Sequence, residues 1–231
     1  MERWEMRLGS GLETREGIVK AAVVLFAQQG FEATSLQDVA DQAGTTKGAV
    51  YHYFKEKPDL LVAIHGRFVE RQLSTLQTIL EESASPAEQL SRIIEELAAN
   101  HDTYRDEVAI FDRERKQLVQ PKFESVRAQR AQVEQMIDEV ISRGIETGEF
   151  KPLPSIRLAT FAVVGMTSWL SHWHTATGKM TARDVGRMYA DTLLHGMRNS
   201  TNPPVHQRPK PQHRGKATTP RPAKRYRKAT H

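Results

Sequence analysis

The sequence predicts an all-α protein, and three observations carry that expectation. Apolar residues recur three and four positions apart through most of the chain, the spacing of one helix face. No run shows the two-residue alternation of a strand, and no segment repeats another. Capping pairs punctuate the pattern: Ser35 stands three residues before Asp38 and Thr181 three before Asp184, each opening an apolar run. At 231 residues the chain is long enough to bury a sizeable core.

The first helix is expected over residues 13–29, with Ile18, Ala21, Ala22, Leu25 and Phe26 on one face; residues 1–12 read as short, mixed and frayed. Gly30 closes it and Phe31 folds back onto the core, leaving Arg15 and Lys20 as candidate phosphate contacts. Ser35 opens a short helix with Val39, Ala40 and Ala43 on its apolar face, which Gly44 ends in the left-handed conformation. Thr45 and Thr46 then cap a second short helix through Lys47, Ala49, Val50 and Tyr51. Two short helices joined by a glycine turn make a helix-turn-helix, whose second helix enters the DNA major groove. Val39, Val50 and Phe54 complete a three-helix core.

The second helix has side chains suited to that role. Its first turn offers threonine hydroxyls, the Lys47 ammonium and free backbone N–H groups to a phosphate. Gly48 and Ala49 let it lie close to a duplex, and Tyr51, His52 and Tyr53 present flat rings with polar tips. Lys57, just before Pro58, stands where a cation reaches a flanking phosphate. With Ser35, Thr45 and Thr46 these are the candidate DNA-contacting residues. The plain alternative is a pair of short helices that only fill a core.

Residues 13–61 resemble the DNA-binding domain of the TetR family of bacterial repressors. The resemblance is carried by residues 18–26, Gly30-Phe31, Thr34-Ser35-Leu36 with Val39-Ala40, Gly44, the run 47–54 (KGAVYHYF), and Lys57 with Leu60-Leu61. Thr45 departs from the apolar residue usual at that point. Membership implies a homodimeric regulator, usually a repressor, that reads palindromic double-stranded DNA and responds to a small molecule in a second domain.

From Pro58 a longer helix is expected to about residue 82, with Leu61, Ile64, Phe68, Leu76 and Ile79 inward. Ser85-Pro86 opens the next, whose face reads Leu90, Ile93, Ile94, Leu97, His101, Tyr104; His101 is either a satisfied core imidazole or a ligand contact. Residues 107–119 read as a short, charge-dense helix with Ile110 and Phe111 inside and Arg113 and Arg115 among acids. Over residues 123–145, Arg130 falls in line with Val126, Val133, Ile137 and Val140, either snorkelling at a rim or awaiting a carboxylate or phosphate. Gly144, Gly148 and Pro152 break the chain before a helix over 155–177 that carries Phe161, Gly165, Trp169 and Trp173. Thr181 opens the last helix, through Val185, Met188, Tyr189, Leu193 and Met197. These two helices are apolar over more of their circumference than one core contact needs, so a four-helix homodimer interface about a two-fold axis is expected.

Composition narrows the remaining classes. Cysteine is absent, which removes disulfides and thiolate metal sites. The first ten residues lack the apolar stretch of a secretory signal, and no apolar run approaches the roughly 18 residues of a membrane span, so a soluble, cytoplasmic protein without a membrane partner is expected. His172 and His174, two apart, point to different sides of a helix, and no zinc, phosphate-loop or nucleophile motif occurs; neither an enzyme nor a cofactor is nominated. The net charge of +5 is uneven: residues 200–231 hold nine Lys or Arg, no acid and six of the eleven prolines, so the remainder carries −4. That tail reads as disordered, either a solvated extension or an arm adding non-specific DNA affinity. The expected organisation is a DNA-binding domain over 13–57, a ligand-binding and dimerisation domain over 58–199, and the tail. A helical scaffold whose tail merely adheres to nucleic acid is the competing class.

A second resemblance bears on the ligand. Residues 165–174 (GMTSWLSHWH), with Gly178, Tyr189 and the Gly144…Gly148-Glu149-Phe150 turn, resemble the C-terminal domains of TetR-type regulators of fatty-acid and steroid catabolism, whose members respond to acyl-CoA thioesters. An apolar tunnel with Arg130, Arg127 or Arg115 near its mouth would suit an acyl chain ending in phosphates, and His101, Tyr104 and Phe111 are further candidate ligand contacts. The alternative effector is a planar lipophilic compound stacked on Trp169, Trp173, Phe111 and Tyr104, in a repressor of an efflux pump.

Overall fold

A computed structural model of the chain describes residues 2–175 and 177–198, with backbone alone over 2–13. Regular structure among these residues is helical apart from one bridge between Phe150 and Arg198. The helices are α1 (Glu2–Gln29), α2 (Leu36–Gln42), α3 (Lys47–Tyr53), α4 (Lys57–Glu81), α5 (Pro86–Thr103), α6 (Arg105–Arg113), α7 (Glu124–Glu146), α8 (Ile156–Ser168) and α9 (Ala182–Met197). Short 3-10 turns, Arg115–Val119 and Pro121–Phe123, join α6 to α7, and a third, Trp169–His172, follows α8. The expectation for the basic tail lies outside the described residues.

Local chemistry explains the boundaries. Ser35, Ser85 and Thr181 each close a capping box, and Thr46 and Ser155 accept single hydrogen bonds from the third residue of their helices. Gly30, Gly44 and Gly148 take positive φ, the conformation that ends or turns a helix at least cost when no Cβ is present. The α1 backbone is helical from Glu2, earlier than the sequence pattern gave.

Two further expectations are corrected. The helix expected over 107–119 ends at Arg113, and Arg127 Nη1 donates to Leu118 O (2.6 Å) and Gln120 O (2.9 Å), pinning the tighter turns that follow. The helix expected to reach residue 177 ends at Ser168. The tighter winding after it turns Leu170 inward against Ala98 and Val185, where it is fully buried. His174 Nε2 then meets Asp102 Oδ1 (2.8 Å) while Asp102 Oδ2 accepts the Ala182 N–H (2.7 Å), tying the α8–α9 connection to α5.

Ile18, Ala22, Phe26, Val39, Ala40, Val50 and Phe54 form the core of the N-terminal head, which continues through Leu60, Leu61 and Ile64 of α4 into the body. Gln89 is a buried polar joint there. Its amide donates to the carbonyls of Ile79 (3.2 Å), Leu80 (3.3 Å) and Glu82 (3.2 Å) at the end of α4, and its oxygen accepts from Arg143. α9 crosses α5 closely at Gly186, where a Cβ would stand 2.8 Å from Ala98 Cβ and 2.9 Å from Glu95 Cα. Because the nearest atoms are backbone and a short side chain, Gly186→Val should destabilise the fold by about 1–3 kcal/mol. Urea unfolding reads this, and an unchanged midpoint would contradict the close crossing.

Candidate nucleic-acid interface and internal cavity

α3 is anchored by Val50, fully buried, and Phe54, so its opposite side is turned out. Ser35, Thr46, Lys47, Gly48, Tyr51 and His52 are exposed, and Thr45, Ala49, Tyr53 and Lys57 half-buried. Lys47 Nζ lies 5.7 Å from the Tyr51 ring centre, while His52 packs edge-on to Tyr53 at 4.9 Å. Ser35 and Thr46 spend their hydroxyls on helix capping, bonding Asp38 N and Ala49 N (both 3.1 Å), and Thr45 N donates to Ala40 O (3.0 Å). Lys57 Nζ is held inside the head: it donates to Phe31 O (2.6 Å) and Glu32 O (2.9 Å) and stands 4.5 Å over the Phe31 ring. Arg15 likewise lies over Phe54.

Three charged contacts join head to body. Arg113, at the end of α6, donates to the carbonyl of Phe26 in the last turn of α1 (3.1 Å), where a cation also suits the helix dipole. Lys122 pairs with Glu56 and with Asp59 (2.7 Å) at the start of α4. Arg67 pairs with Glu16. None of the three contacts was expected from the sequence, where Arg113 is named only as one charge in a charge-dense helix.

Inside the body a cavity of about 80 Å3 lies between α4, α5, α6, α7 and α8. Its apolar walls include Phe68, Leu97, Val108, Phe111, Val133 and Val164, and its polar ones His101, Asp112, Arg130 and Glu134. Arg130 lies 4.7 Å from the Phe111 ring centre, and burial lowers its pKa against the pull of Glu134. Burial also lowers His101, opposed by the nearby Asp112 carboxylate.

Of the residues expected to bind ligand, His101, Phe111 and Arg130 line this cavity and five do not. Trp169 and Trp173 remain 58% and 49% exposed, because α8 stops before them and Leu170 takes the inward place. Trp169 stacks on His172 at 4.0 Å. Tyr104 packs on Phe68 under Arg71. Arg127 is engaged by the carbonyls after α6, and Arg115 is exposed on that connection. Asp112 and Glu134 were missed, since acids in charge-rich helices look solvated in sequence.

Residues 18–64 match the family described as bacterial regulatory proteins, tetR family, and residues 83–197 match the tetracyclin repressor-like, C-terminal domain. The HTH-type transcriptional repressor KstR2 of Mycobacterium tuberculosis is 28% identical over 194 residues, spanning 83% of this chain and 96% of its own. The structure of that ketosteroid regulator aligns with a TM-score of 0.71 at 27% identity, over 80% of this chain and 95% of its own. PfmR of Thermus thermophilus aligns with a TM-score of 0.71 at 30% identity, over 77% of this chain and 97% of its own. FadR of Bacillus subtilis, solved in complex with stearoyl-CoA, shares the fold: TM-score 0.68, 22% identity, 79% of this chain and 98% of its own.

Beneath Phe111 lies His65 of α4, fully buried, edge-on to Phe111 at 4.9 Å, with neither ring nitrogen hydrogen-bonded among the described residues. Burial, with Arg130 nearby, lowers its pKa from 6.5 to about 4. The unfolded imidazole takes up a proton below pH 6.5 that the folded one refuses until about pH 4. Its stabilising contribution is therefore complete above pH 6.5 and lost as the pH falls through that window, by roughly 3 kcal/mol. His65→Leu should flatten the fall of the urea midpoint between those pH values without loss of stability at neutral pH. An equally steep fall in the variant would contradict this assignment.

Proposed function

The chain belongs to the TetR family of bacterial transcriptional repressors, and on that premise we propose that it reads a palindromic operator as a homodimer and releases it when an acyl-CoA thioester binds the body. The carrying observation is the outward face of α3, where Lys47, Tyr51 and His52 stand exposed on a helix fixed from behind by Val50. A dimer places two such helices on successive major grooves about 34–36 Å apart. Leu158 and Phe161 on α8 and Met188 on α9 are exposed large apolar residues, and Gly165 has open space before its Cβ position. A second copy covering this face removes that apolar surface from water.

The cavity supports the effector class. Its walls are mainly apolar, suited to part of an acyl chain, and the ketosteroid regulator KstR2 is a relative along nearly its whole length. The stearoyl-CoA complex of FadR is an instance of this fold housing such a thioester. A planar drug and efflux control are less favoured: both tryptophans that would stack on it face outward. Release follows if the effector prefers a cavity whose α6 wall has moved, since Arg113 on α6 holds α1 of the head. Typical coupling of this kind is about 1–3 kcal/mol.

The test is a gel shift of the full chain on its own upstream DNA with excess random competitor. A competitor-resistant shift reversed by an acyl-CoA is expected. Tyr51→Ala and Lys47→Ala separate the kinds of contact. A lost base contact costs about 1–3 kcal/mol on the operator alone, a lost phosphate contact weakens all sequences alike. Loss of all binding on removal of residues 200–231, with no effect of either substitution, would sink the helix-turn-helix assignment.

A further inference from the structure

We propose that the cavity selects effectors bearing a hydroxyl at the 3-position, one methylene from their acyl carbonyl, with Asp112 accepting from the hydroxyl and Arg130 donating to the carbonyl. The proposal rests on the acyl-CoA reading above and names the acyl class within it.

The polar residues of the wall also include Gln72, Asn100, His101 and Ser168; two charged ones, Arg130 and Asp112, are set apart by what they do not meet. Glu134 is paired with Arg157 from α8. Thr167 Oγ1 donates to Val163 O (2.9 Å). Arg130 holds its guanidinium carbon 4.7 Å from the Phe111 ring centre and makes no hydrogen bond or close ion pair among the described residues, so its N–H groups are unspent. Asp112 Oδ2 is buried and meets no donor among the described residues. With Glu134 taken up by Arg157, the charges left facing the cavity are the Arg130 guanidinium and the Asp112 carboxylate. A group satisfying both residues at once must accept from a cation and donate to an anion while staying neutral. A 3-hydroxyl together with the acyl carbonyl does both.

Size agrees with chemistry. A cavity of about 80 Å3 takes a polar group and a short length of chain, not an adenosine diphosphate. An unsubstituted acyl chain fills the apolar part and leaves Asp112 Oδ2 unmet in a buried place, which is how a site rejects an analogue that lacks one hydroxyl. Asp112 also lies between Phe111 and Arg113 in sequence, so the selective contact is made on the helix that holds the head.

Calorimetry on the full chain, with matched medium- and long-chain sets of unsubstituted, 3-oxo and 3-hydroxy acyl-CoAs, tests this. The 3-hydroxy member should bind about 10–100-fold more tightly than its unsubstituted match, the yield of one hydrogen bond to a charged acceptor. The 3-oxo member, which lacks the donor, should stay close to the unsubstituted one. Asp112→Ala should bring the ratio of 3-hydroxy to unsubstituted affinity to about one, and Arg130→Met should weaken every member. If Asp112→Ala does not fold, judged by circular dichroism, Asp112→Asn keeps the shape, removes the charge and should still lower the ratio. Equal affinities in the parent, or a ratio that survives substitution of Asp112, would overturn the hydroxyl claim alone. No heat with any thioester would overturn the acyl-CoA reading itself.

Discussion

Arg113 reaches from the end of α6 to the carbonyl of Phe26 in the last turn of α1. Phe111 and Asp112, its immediate neighbours, stand in the wall of the cavity. One short helix is thus fixed to the head at its end and lines the cavity along its side. At nine residues it is too short to be stable alone in water and keeps its conformation through packing. A ligand that displaces Phe111 therefore acts on a helix that moves as a piece, and the bond at Arg113 sets where that motion goes. Lys122, on the turn after α6, closes the same path onto the start of α4 through Glu56 and Asp59.

The body carries its polar groups unevenly. Gln89 is fully employed, with three carbonyls and one guanidinium around it, and fixes where α4, α5 and α7 meet. His65 and Asp112 are not so placed: each has a buried polar atom without a partner among the described residues, and both lie beside Phe111 in space or sequence. An unmet buried polar atom costs about 1–3 kcal/mol. The region around Phe111 is thus held less favourably than the Gln89 joint, and such a region is where a second arrangement of comparable energy arises.

The head was legible in sequence because its signals are local. A hydroxyl three residues before an acid at Ser35, a glycine at a positive-φ position at Gly44, and a threonine cap at Thr46 act within one turn, and all three appear as expected. The cavity was legible only in part. Arg130 stood out because it interrupted an apolar stripe, and it does line the cavity. Trp169 and Trp173 lie outside this cavity because α8 ends before them, where Leu170 docks against α5 and α9, a tertiary contact that leaves no mark in the local pattern. His65 could have been found: it falls between Leu61, Ile64 and Phe68 on the inward stripe of α4, where an imidazole is as conspicuous as Arg130 is on α7.

Coupling between cavity and head is the central claim, and a thermodynamic cycle tests it most directly. The affinity of the full chain for its effector would be measured with and without saturating operator, in the parent and in Arg113→Ala. The parent should bind effector about 5–150-fold more weakly on DNA, the range for typical coupling. Arg113→Ala should shrink that factor towards one while operator and effector each still bind alone. An undiminished factor in the variant would show that coupling does not run through the bond from Arg113 to Phe26, and would contradict the account.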